Sequence, residues 1–374
     1  MALYDIVFKG GGAKGMAFVG ALEALAESGH THRRLVGTSA GAITAMMIGA
    51  GYSPQELLKE CTKTDAATGK PVFATFMDPP ADGSFAKELV ETCETMTLIK
   101  QAGLSFFGLG MIEEKIIQGL LHLELYRELF SFNECGGFYA GDAALNWIRQ
   151  RLTQKGFAPE ITWAQFYKAT NKDVSVVTTD VTEKQMVVLN ARTAPNVPVA
   201  ESVRMSMSIP FVWQEMIWKP EWGQYRGQDK TGHIFVDGGV LSNFPLRLIA
   251  ESTPDVVAVM GTTDPNGAGN LGLFLDSSIM APGANSSDTV RPQLRLADRV
   301  THLIDTLTDS SDLAVMRTYE SDVCRIPVGG YGTTEFRMSA ARQQLLIASG
   351  KTAMQQYFAL ATQPDTISAS MAVR

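Results

Sequence analysis

The sequence contains few of the residues that mark several common classes of protein. Its four cysteines, Cys61, Cys93, Cys135 and Cys324, lie far apart and form no CxxC pair. This spacing does not indicate a disulfide framework or a zinc site, and predicts buried thiols in a reducing compartment. No lysine- or arginine-rich run occurs and the formal net charge is −7, which argues against a nucleic-acid duplex as the partner. No window approaches the roughly 20 apolar residues of a membrane-spanning helix.

The first residues of the sequence also lack the charge and hydropathy pattern of a leader peptide. No basic segment precedes an apolar one, and the first predicted strand begins at about Tyr4. Cleavage of a leader would therefore remove part of the core, so we expect a cytoplasmic protein. The apolar content of 45% predicts a globular protein with a sizeable core. A length of 374 residues allows one large α/β domain or two ordinary ones.

The N-terminal third alternates strand and helix patterns. YDIVFK predicts a buried strand, Ala13 to Ser28 a helix that ends at Gly29, RRLVGT a second strand and AGAITAMMIGA a second helix. Ser53, Pro54 and Glu56 form a capping box with proline at the first helical position, which predicts a third helix. This order predicts an α/β fold with a mostly parallel central sheet and helices on both faces.

Later segments extend this organisation. DVSVVTTDVTEKQMVVLN predicts a hairpin, while HIFVDGG, DVVAVMGT and DVCRIPVG predict further strands. Residues 293–320 and 335–360 have helical patterns, and LFLDSSIMAPGANSSDTVRPQ predicts a mobile loop. From about residue 71 to 162 the pattern is helical and irregular without a strong strand. We therefore expect one catalytic domain over 1–374, with a helical cap or lid at about 71–162 and a C-terminal helical part at about 290–374.

Two segments are unusually apolar or aromatic. MTLIKQAGLSFFGLGMIEEKIIQGLL, residues 96–121, fits either a core helix pair or a lid over a lipid site. FVWQEMIWKPEWGQY carries a cluster of large aromatic side chains, namely Phe211, Trp213, Trp218, Trp222 and Tyr225. This cluster fits either an aromatic hairpin packed in the fold or a contact with a membrane interface.

The glycine-rich stretch GGGAKG, from Gly10 to Gly15, follows the first strand and opens a helix. Backbone N–H groups at such a position bind negative charge. A P-loop needs Ser or Thr after its lysine, but Lys14 is followed by Gly15, so that motif is excluded. The dinucleotide fingerprint fits as Gly10-x-Gly12-x-x-Gly15, yet it needs an acidic residue about 20 positions later. The second strand ends without one, so a nucleotide-binding protein is the less favoured alternative.

That second strand ends in GTSAG, Gly37 to Gly41, which has the GxSxG pattern of a nucleophile elbow between a strand and a helix. The glycines permit a sharp turn, so Ser39 is expected at the carboxyl edge of the sheet. A structural serine in a tight turn is the alternative. Two successive strand–turn–helix units would then place backbone donors beside a nucleophile. Acyl transfer requires this pair, because the donors can stabilise a tetrahedral oxyanion.

A serine nucleophile needs a base. Of the five histidines, four are poorly placed, namely His30, His32, His122 and His233. The first two follow the first helix and are expected in solvent at the far end of the sheet. The third lies in the insertion, and the fourth lies too far along the strand of Asp237 to share its site. His302 satisfies the order Ser, Asp, His, but it lies within an amphipathic helical pattern.

Carboxylates offer another base. IFVDGGVLSNFP places Asp237 at the end of an apolar strand before two glycines. An aspartate there is often only a turn former. It can deprotonate a serine if it lies within about 2.6–3.2 Å of the hydroxyl in a shielded site. Asp180, in VVTTDV, also ends a strand and competes for the role. The residues thus favour a Ser–Asp dyad and leave a triad through His302 as the alternative.

The set GGGAKG, GTSAG and DGG, in this order, resembles the patatin-like phospholipases, which are serine lipid acyl hydrolases. VVTTDV and SVRMSMSIPFVW are similar to two further family segments, with Ser and Ile in place of the usual alanines, and the resemblance covers about Tyr4 to Phe244. It implies a three-layer patatin-like fold with Ser39 as nucleophile and Asp237 as base. The implied oxyanion hole consists of N–H groups from Gly10, Gly11, Gly12 and Ala13. Substrate contacts are assigned to Lys14 and Ala40, where Lys14 replaces the more usual arginine and would steady the loop or contact a lipid phosphate.

The activity implied by this resemblance is cleavage of fatty-acyl esters of membrane phospholipids through an acyl-serine intermediate. It implies no metal or organic cofactor, and a phospholipid or membrane surface as a transient peripheral partner. Bacterial members that act as anti-phage effectors, switched on by a cyclic nucleotide, suggest an alternative role for the same enzyme. A non-catalytic lipid-binding protein is the less favoured alternative. The sequence makes no prediction of oligomeric state.

Overall fold

Strands and helices alternate along the chain in the computed structural model, which describes residues 1–94, 117–262, 267–284 and 296–361. The strands are β1 (Leu3–Phe8), β2 (Thr31–Thr38), β3 (Gly137–Tyr139), β4 (Asp173–Asp180), β5 (Gln185–Leu189), β6 (Phe211–Trp213), β7 (Met216–Ile217), β8 (Gln224–Tyr225), β9 (Gln228–Asp229), β10 (Ile234–Asp237), β11 (Gly269–Met280) and β12 (Val323–Gly329). The α-helices are α1 (Ala17–Glu27), α2 (Ala40–Gly49), α3 (Pro54–Cys61), α4 (Lys87–Thr92), α5 (Glu124–Cys135), α6 (Asp142–Gln154), α7 (Trp163–Thr170), α8 (Val199–Ser206), α9 (Arg247–Ala250), α10 (Pro254–Met260), α11 (Leu296–Thr318) and α12 (Ala340–Ala361).

Hydrogen-bonded pairing links the strands of the central sheet in the sequence β12-β11-β1-β2-β4-β10-β7, and β5 pairs with β4 along the edge opposite β2 and β10. The strands from β12 to β4 in this order are parallel. β5 and β10 pair antiparallel to β4, and β7 pairs antiparallel to β10. The predicted mostly parallel sheet is confirmed, as is the predicted hairpin, which forms β4 and β5.

Helices cover both faces of this sheet. Side chains alternate along each strand, so Ile6 and Phe8 pack into one core while Val7 packs into the other. The first core is closed by α1, α2, α3, α6, α7, α8 and α12. The second is closed by α9, α10 and the Met316 side chain of α11. The arrangement is the predicted three-layer fold, and each fully buried aliphatic side chain stabilises it by about 1.5–3 kcal/mol.

Helix starts follow the predicted local signals. The Ser53 hydroxyl accepts a hydrogen bond from the Glu56 N–H at 3.2 Å, and the Glu56 carboxylate accepts one from the Ser53 N–H at 2.8 Å. This reciprocal capping box begins α3 with Pro54 at the first position. The predicted first helix divides into a 3₁₀ turn, Gly12–Met16, followed by α1.

Two secondary-structure predictions were wrong. DVVAVMGT forms the helix α10, not a strand, because Pro254 occupies its first turn and Val256, Val259 and Met260 are buried at helical spacing. The first part of LFLDSSIMAPGANSSDTVRPQ lies in β11, not in a loop, because Leu273 and Leu275 are buried between β1 and β12. Residues 285–293 of that segment lie outside the described residues.

The insertion contains α4, α5, α6 and the short strand β3, which pairs with β6. Most of the apolar segment 96–121 lies outside the described residues, which resume at Ile117. The division of the chain into one domain with a cap stays a prediction. Across the described ranges, no helix is both long and apolar enough to cross a membrane.

The aromatic cluster of residues 211–225 packs mainly inside the fold. Trp213, Trp218, Trp222 and Tyr225 are buried, whereas Phe211 is 48% exposed. Of the two interpretations of this cluster, packing within the fold is therefore the correct one for its four buried members. The four cysteines are free thiols, and the predicted burial is confirmed for Cys61, Cys93 and Cys324, while Cys135 is partly buried. Burial raises the pKa of both Cys61 and Cys324 to about 12.

Candidate active site

Ser39 lies in a tight turn, the elbow (residues 37–41), between β2 and α2. Its backbone has φ 54° and ψ −121°, a conformation that is unfavourable for a residue with a Cβ. A Cβ at Gly37 would overlap the Gly41 carbonyl, and a Cβ at Gly41 would overlap the Phe8 carbonyl. Both glycines of GTSAG are therefore required by close backbone approach, and the strain is concentrated at the serine.

Strand pairing brings Ser39 and Asp237 together. Val177 of β4 pairs with Thr38 on one side and with β5 on the other. The next residue, Thr178, pairs with β5 and with Asp237. β2 and β10 must therefore occupy the same side of β4 and meet end to end, one residue apart. Ser39 directly follows the end of β2, so the two predicted catalytic residues converge at this junction.

The segment after Asp237, the base loop (residues 238–244), fixes its carboxylate. Oδ1 accepts the Gly239 N–H at 2.7 Å, and the Asp237 N–H donates to the Ser208 carbonyl at 2.8 Å. A Cβ at Gly238 would lie 3.0 Å from Cγ2 of Thr38, so a larger residue would press against the elbow. Both glycines of DGG thus serve close packing beside the nucleophile.

The end of α8 supports both candidate catalytic residues, a role that our sequence reasoning missed. The Ser206 hydroxyl accepts the Ser39 N–H at 2.9 Å and donates to the Val177 carbonyl at 2.5 Å. The Arg204 guanidinium is buried, donates to the Ser208 hydroxyl, and burial lowers its pKa to about 10. The segment SVRMSMSIPFVW was noticed only as a similarity, because its hydrogen-bond partners lie on other elements.

The glycine loop (residues 9–13) presents fewer donors than predicted. The Gly10 N–H donates to the Asn243 carbonyl at 2.9 Å, and the Ala13 N–H donates to the Thr333 carbonyl at 2.8 Å. These two groups are engaged within the protein, so the prediction that Gly10 and Ala13 line the oxyanion hole is wrong in this structure. Within the described part of the chain, the N–H groups of Gly11 and Gly12 have no acceptor. They are the donors that an oxyanion could use.

Contacts within the protein explain why glycines occupy the three positions of the dinucleotide-binding pattern, Gly10, Gly12 and Gly15. A Cβ at Gly10 would overlap the Asn243 side chain, and one at Gly12, where φ is +54°, would overlap the Thr333 carbonyl. A Cβ at Gly15 would lie 2.8 Å from the Cβ of Ala40, which begins α2 behind the elbow. The pattern is therefore set by packing of the loop on the elbow and base loop, and needs no dinucleotide.

Replacing Gly11 with alanine tests the oxyanion loop. The new Cβ would lie 2.5 Å from Cδ1 of Leu275, a side-chain end that can move, so we expect the variant to fold. Alanine keeps the backbone N–H, but the Cβ pressing on Leu275 would displace it. A displacement of about 1 Å at reacting groups costs about 10²-fold in rate, and we expect turnover to fall by about that factor. Gly119→Ala, where no atom lies within 4 Å of the added Cβ, is the matched control. Wild-type turnover in folded Gly11→Ala would make the loop structural only.

An apolar cleft opens beside Ser39. Ala13 of the glycine loop and Ser39 and Ala40 of the elbow form part of its wall. The rest of the wall comes mainly from apolar side chains of the first core, including Val19, Ile43, Leu57, Cys61, Phe73, Phe76, Met207, Ile209, Trp213 and Phe336. Such a lining suits a hydrocarbon chain. Lys14 is not part of this wall, because its ammonium donates to the Ser277 hydroxyl of β11 at 3.0 Å.

Comparison with known proteins assigns the family. A family model described as patatin-like phospholipase matches residues 6–250, which include the glycine loop, the elbow and Asp237. The chain belongs to the patatin-like phospholipase family. Membership makes it a lipid ester hydrolase in the broad sense.

Individual relatives are distant. The patatin-like chain is 28% identical to protein YqhO of Bacillus subtilis (strain 168) over 357 residues, 93% of this chain and 95% of YqhO. It is 19% identical to the probable lipid hydrolase 463L of Invertebrate iridescent virus 6, over 65% of this chain and 62% of 463L. The crystal structure of VipD from Legionella pneumophila aligns with a TM-score of 0.50 and 16% identity, covering 96% of this chain and 67% of VipD, and supports the fold alone.

The histidines of this patatin-like chain lie away from the junction of β2 and β10. His302 is exposed on α11. This helix contacts the base loop through Asp312, which lies ten residues, or about 15 Å, further along the helix axis than His302. The prediction that His30 and His32 lie in solvent was wrong. The His30 ring accepts the Ala2 N–H at 3.0 Å, and burial, with the nearby Lys172 charge, lowers the pKa of His32 to about 4.

Asp180 is engaged elsewhere. Its carboxylate lies 2.9 Å from Nδ1 of His233 and 3.4 Å from the Lys230 ammonium, and it accepts the N–H groups of the turn after β4. Burial alone would raise its pKa, but the hydrogen bonds from His233 and Glu183 lower it. Asp180, Glu183 and His233 are near enough to bind a metal ion. The buried Lys230 ammonium already pairs with both carboxylates of this group, so we interpret it as a clamp between β4 and β10.

Proposed function

We propose that this protein is a phospholipase that cleaves fatty-acyl esters of membrane phospholipids through an acyl-enzyme on Ser39. The observation that carries the proposal is the end-to-end meeting of β2 and β10 on β4. It brings Asp237 close to Ser39, which lines an apolar cleft. Gly12 lines the same cleft, and Gly11 directly precedes it in the glycine loop.

In the proposed mechanism Asp237 accepts the Ser39 proton as the serine oxygen attacks the ester carbonyl. The tetrahedral oxyanion is stabilised by the N–H groups of Gly11 and Gly12 and by the N-terminal end of α2. Collapse of the intermediate breaks the ester C–O bond, and the lysolipid alkoxide leaves with the proton held by Asp237. A water molecule then attacks acyl-Ser39 and gives its proton to Asp237. Asp237 returns that proton to the departing Ser39 oxygen, which releases the fatty acid and the free serine.

Mixed phospholipid vesicles test this proposal directly. Wild-type protein is expected to release free fatty acids and lysophospholipids, whereas Ser39→Ala is expected to release neither. Mass spectrometry of the products identifies the headgroup and the acyl position. A second arm adds cyclic oligonucleotides, and activity only in that arm would favour the switched anti-phage effector. Binding to vesicles without hydrolysis in either arm would instead support a lipid-binding protein.

Leu57 of α3, buried in the cleft wall, provides a test of acyl-chain binding. Leu57→Ala lengthens the available space, so kcat/KM for palmitoyl relative to octanoyl p-nitrophenyl ester should rise by about tenfold, the lower end of what one methylene contributes. Leu22→Ala, in the same core but outside the cleft wall, is the matched control for lost packing. An equal change in both variants would exclude the cleft as the acyl site.

A further inference from the structure

Helix α11, in the C-terminal part of the chain, contacts both catalytic loops through one buried carboxylate. Asp312 lies beyond the residues 6–250 that match the family, and it is 3% exposed. Its Oδ2 lies 3.3 Å from the Lys9 ammonium, and its Oδ1 accepts the Phe244 N–H at 3.1 Å. Lys9 begins the glycine loop and Phe244 ends the base loop, so one side chain binds the two segments that carry the chemistry.

The two contacts flank the bond that joins these loops. Gly10 directly follows Lys9, Asn243 directly precedes Phe244, and the Gly10 N–H donates to the Asn243 carbonyl at 2.9 Å. Side chains of the two loops also pack against a common residue, Phe274. The Lys9 ammonium lies 4.1 Å from the centre of the Phe274 ring, whose partner at 5.0 Å is the Phe244 ring. Displacement of α11 would therefore reach the glycine loop and the base loop together.

We propose that Asp312 is a positioning residue for this active site, holding the oxyanion donors of the glycine loop in register with Asp237. It acts through Lys9 and Phe244 and touches no reacting atom. Register matters because a displacement of about 1 Å at the reacting groups costs about 10²-fold in rate. The C-terminal part of the chain is thus a component of the catalytic machinery, beyond its role in covering the sheet. Only the kinetic test of this inference depends on the proposed function, whereas the hydrogen-exchange test does not.

Asp5 offers a matched control at the other end of β1. It is 2% exposed, forms an ion pair with Arg33 at 2.7 Å and accepts the Arg34 N–H at 3.0 Å. Like Asp312, it therefore combines one cation with one backbone donor. It lies at the amino end of β1, whereas the glycine loop follows the carboxyl end. Asp5→Asn thus reproduces the loss of a buried charge without contacting either catalytic loop.

The test measures hydrogen exchange and kinetics in full-length Asp312→Ala, Asp312→Asn and Asp5→Asn. In Asp312→Ala, amide exchange in residues 9–13 and 238–244 should accelerate together, while Asp5→Asn should leave both segments at the wild-type rate. Asp312→Asn keeps an acceptor for the Phe244 N–H, so its effect should be larger on the glycine loop. If Asp312→Ala does not fold, the double variant Lys9→Met/Asp312→Asn, which removes both charges, replaces it.

Kinetics separate positioning from a loss of folded protein. The turnover of a p-nitrophenyl ester is divided by the number of sites that a fluorophosphonate titrates. For Asp312→Ala we expect kcat per titrated site to fall about 10²-fold with little change in KM. An unchanged kcat per site, or faster exchange in only one loop, would overturn the proposal. If the wild type releases no fatty acid from phospholipid, the proposed function fails, while the exchange measurements still decide the role of Asp312.

Discussion

Ser39→Ala is expected to abolish ester hydrolysis, with kcat falling by roughly 10⁴–10⁶-fold, because no acyl-enzyme can form. A fluorophosphonate probe should label wild-type protein at Ser39 and should leave the variant unlabelled, as read by peptide mass spectrometry. Ser28→Ala is the control, since the Ser28 hydroxyl donates to the Ala24 carbonyl at the end of α1, away from the elbow. Labelling at a different serine would contradict the assignment.

The strained backbone at Ser39 adds a second measurement. At φ 54° an alanine keeps the unfavourable Cβ, whereas a glycine does not. Ser39→Gly should therefore be inactive yet more stable than Ser39→Ala by about 1 kcal/mol in chemical denaturation. A serine that is merely structural would not be expected to occupy such a conformation. Equal stability of the two variants would show that the turn carries no strain.

Asp237→Asn is expected to reduce kcat by about 10²–10⁴-fold, the usual contribution of a general base. Asparagine keeps the size of the side chain and an oxygen to accept the Gly239 N–H, so the base loop should stay folded. The variant loses the charge that would accept the Ser39 proton. The measurement is kcat at neutral pH, with circular dichroism to establish that the fold is unchanged.

His302→Ala, assayed beside it, is expected to change activity by less than about tenfold, below the contribution of a catalytic base. The reason is that His302 is exposed on α11, whereas Asp237 is buried at the junction of β2 and β10. A large loss at His302 with little loss at Asp237 would reject the dyad and support a Ser-Asp-His triad.

Features set by neighbouring residues could be predicted from the sequence. The alternation of strands and helices, the capping box at Ser53 and the turns GTSAG and DGG depend on residues a few positions apart, so their signals are local. This is why the amino-acid pattern alone is enough to propose Ser39 and Asp237 as catalytic residues. The local pattern gave a wrong prediction for DVVAVMGT, where a valine-rich run resembles a strand although Pro254 begins a helix.

Only the tertiary structure decided how the site is assembled. Asp180 and Asp237 both end strands, and they differ in their partners: Asp180 is engaged by Lys230 and His233, while Asp237 meets Ser39 across successive residues of β4. The engaged N–H groups of Gly10 and Ala13 find their acceptors at Asn243 and Thr333, far along the chain. No local pattern carries such information, because a hydrogen bond between distant segments is determined by how the whole sheet and its helices pack.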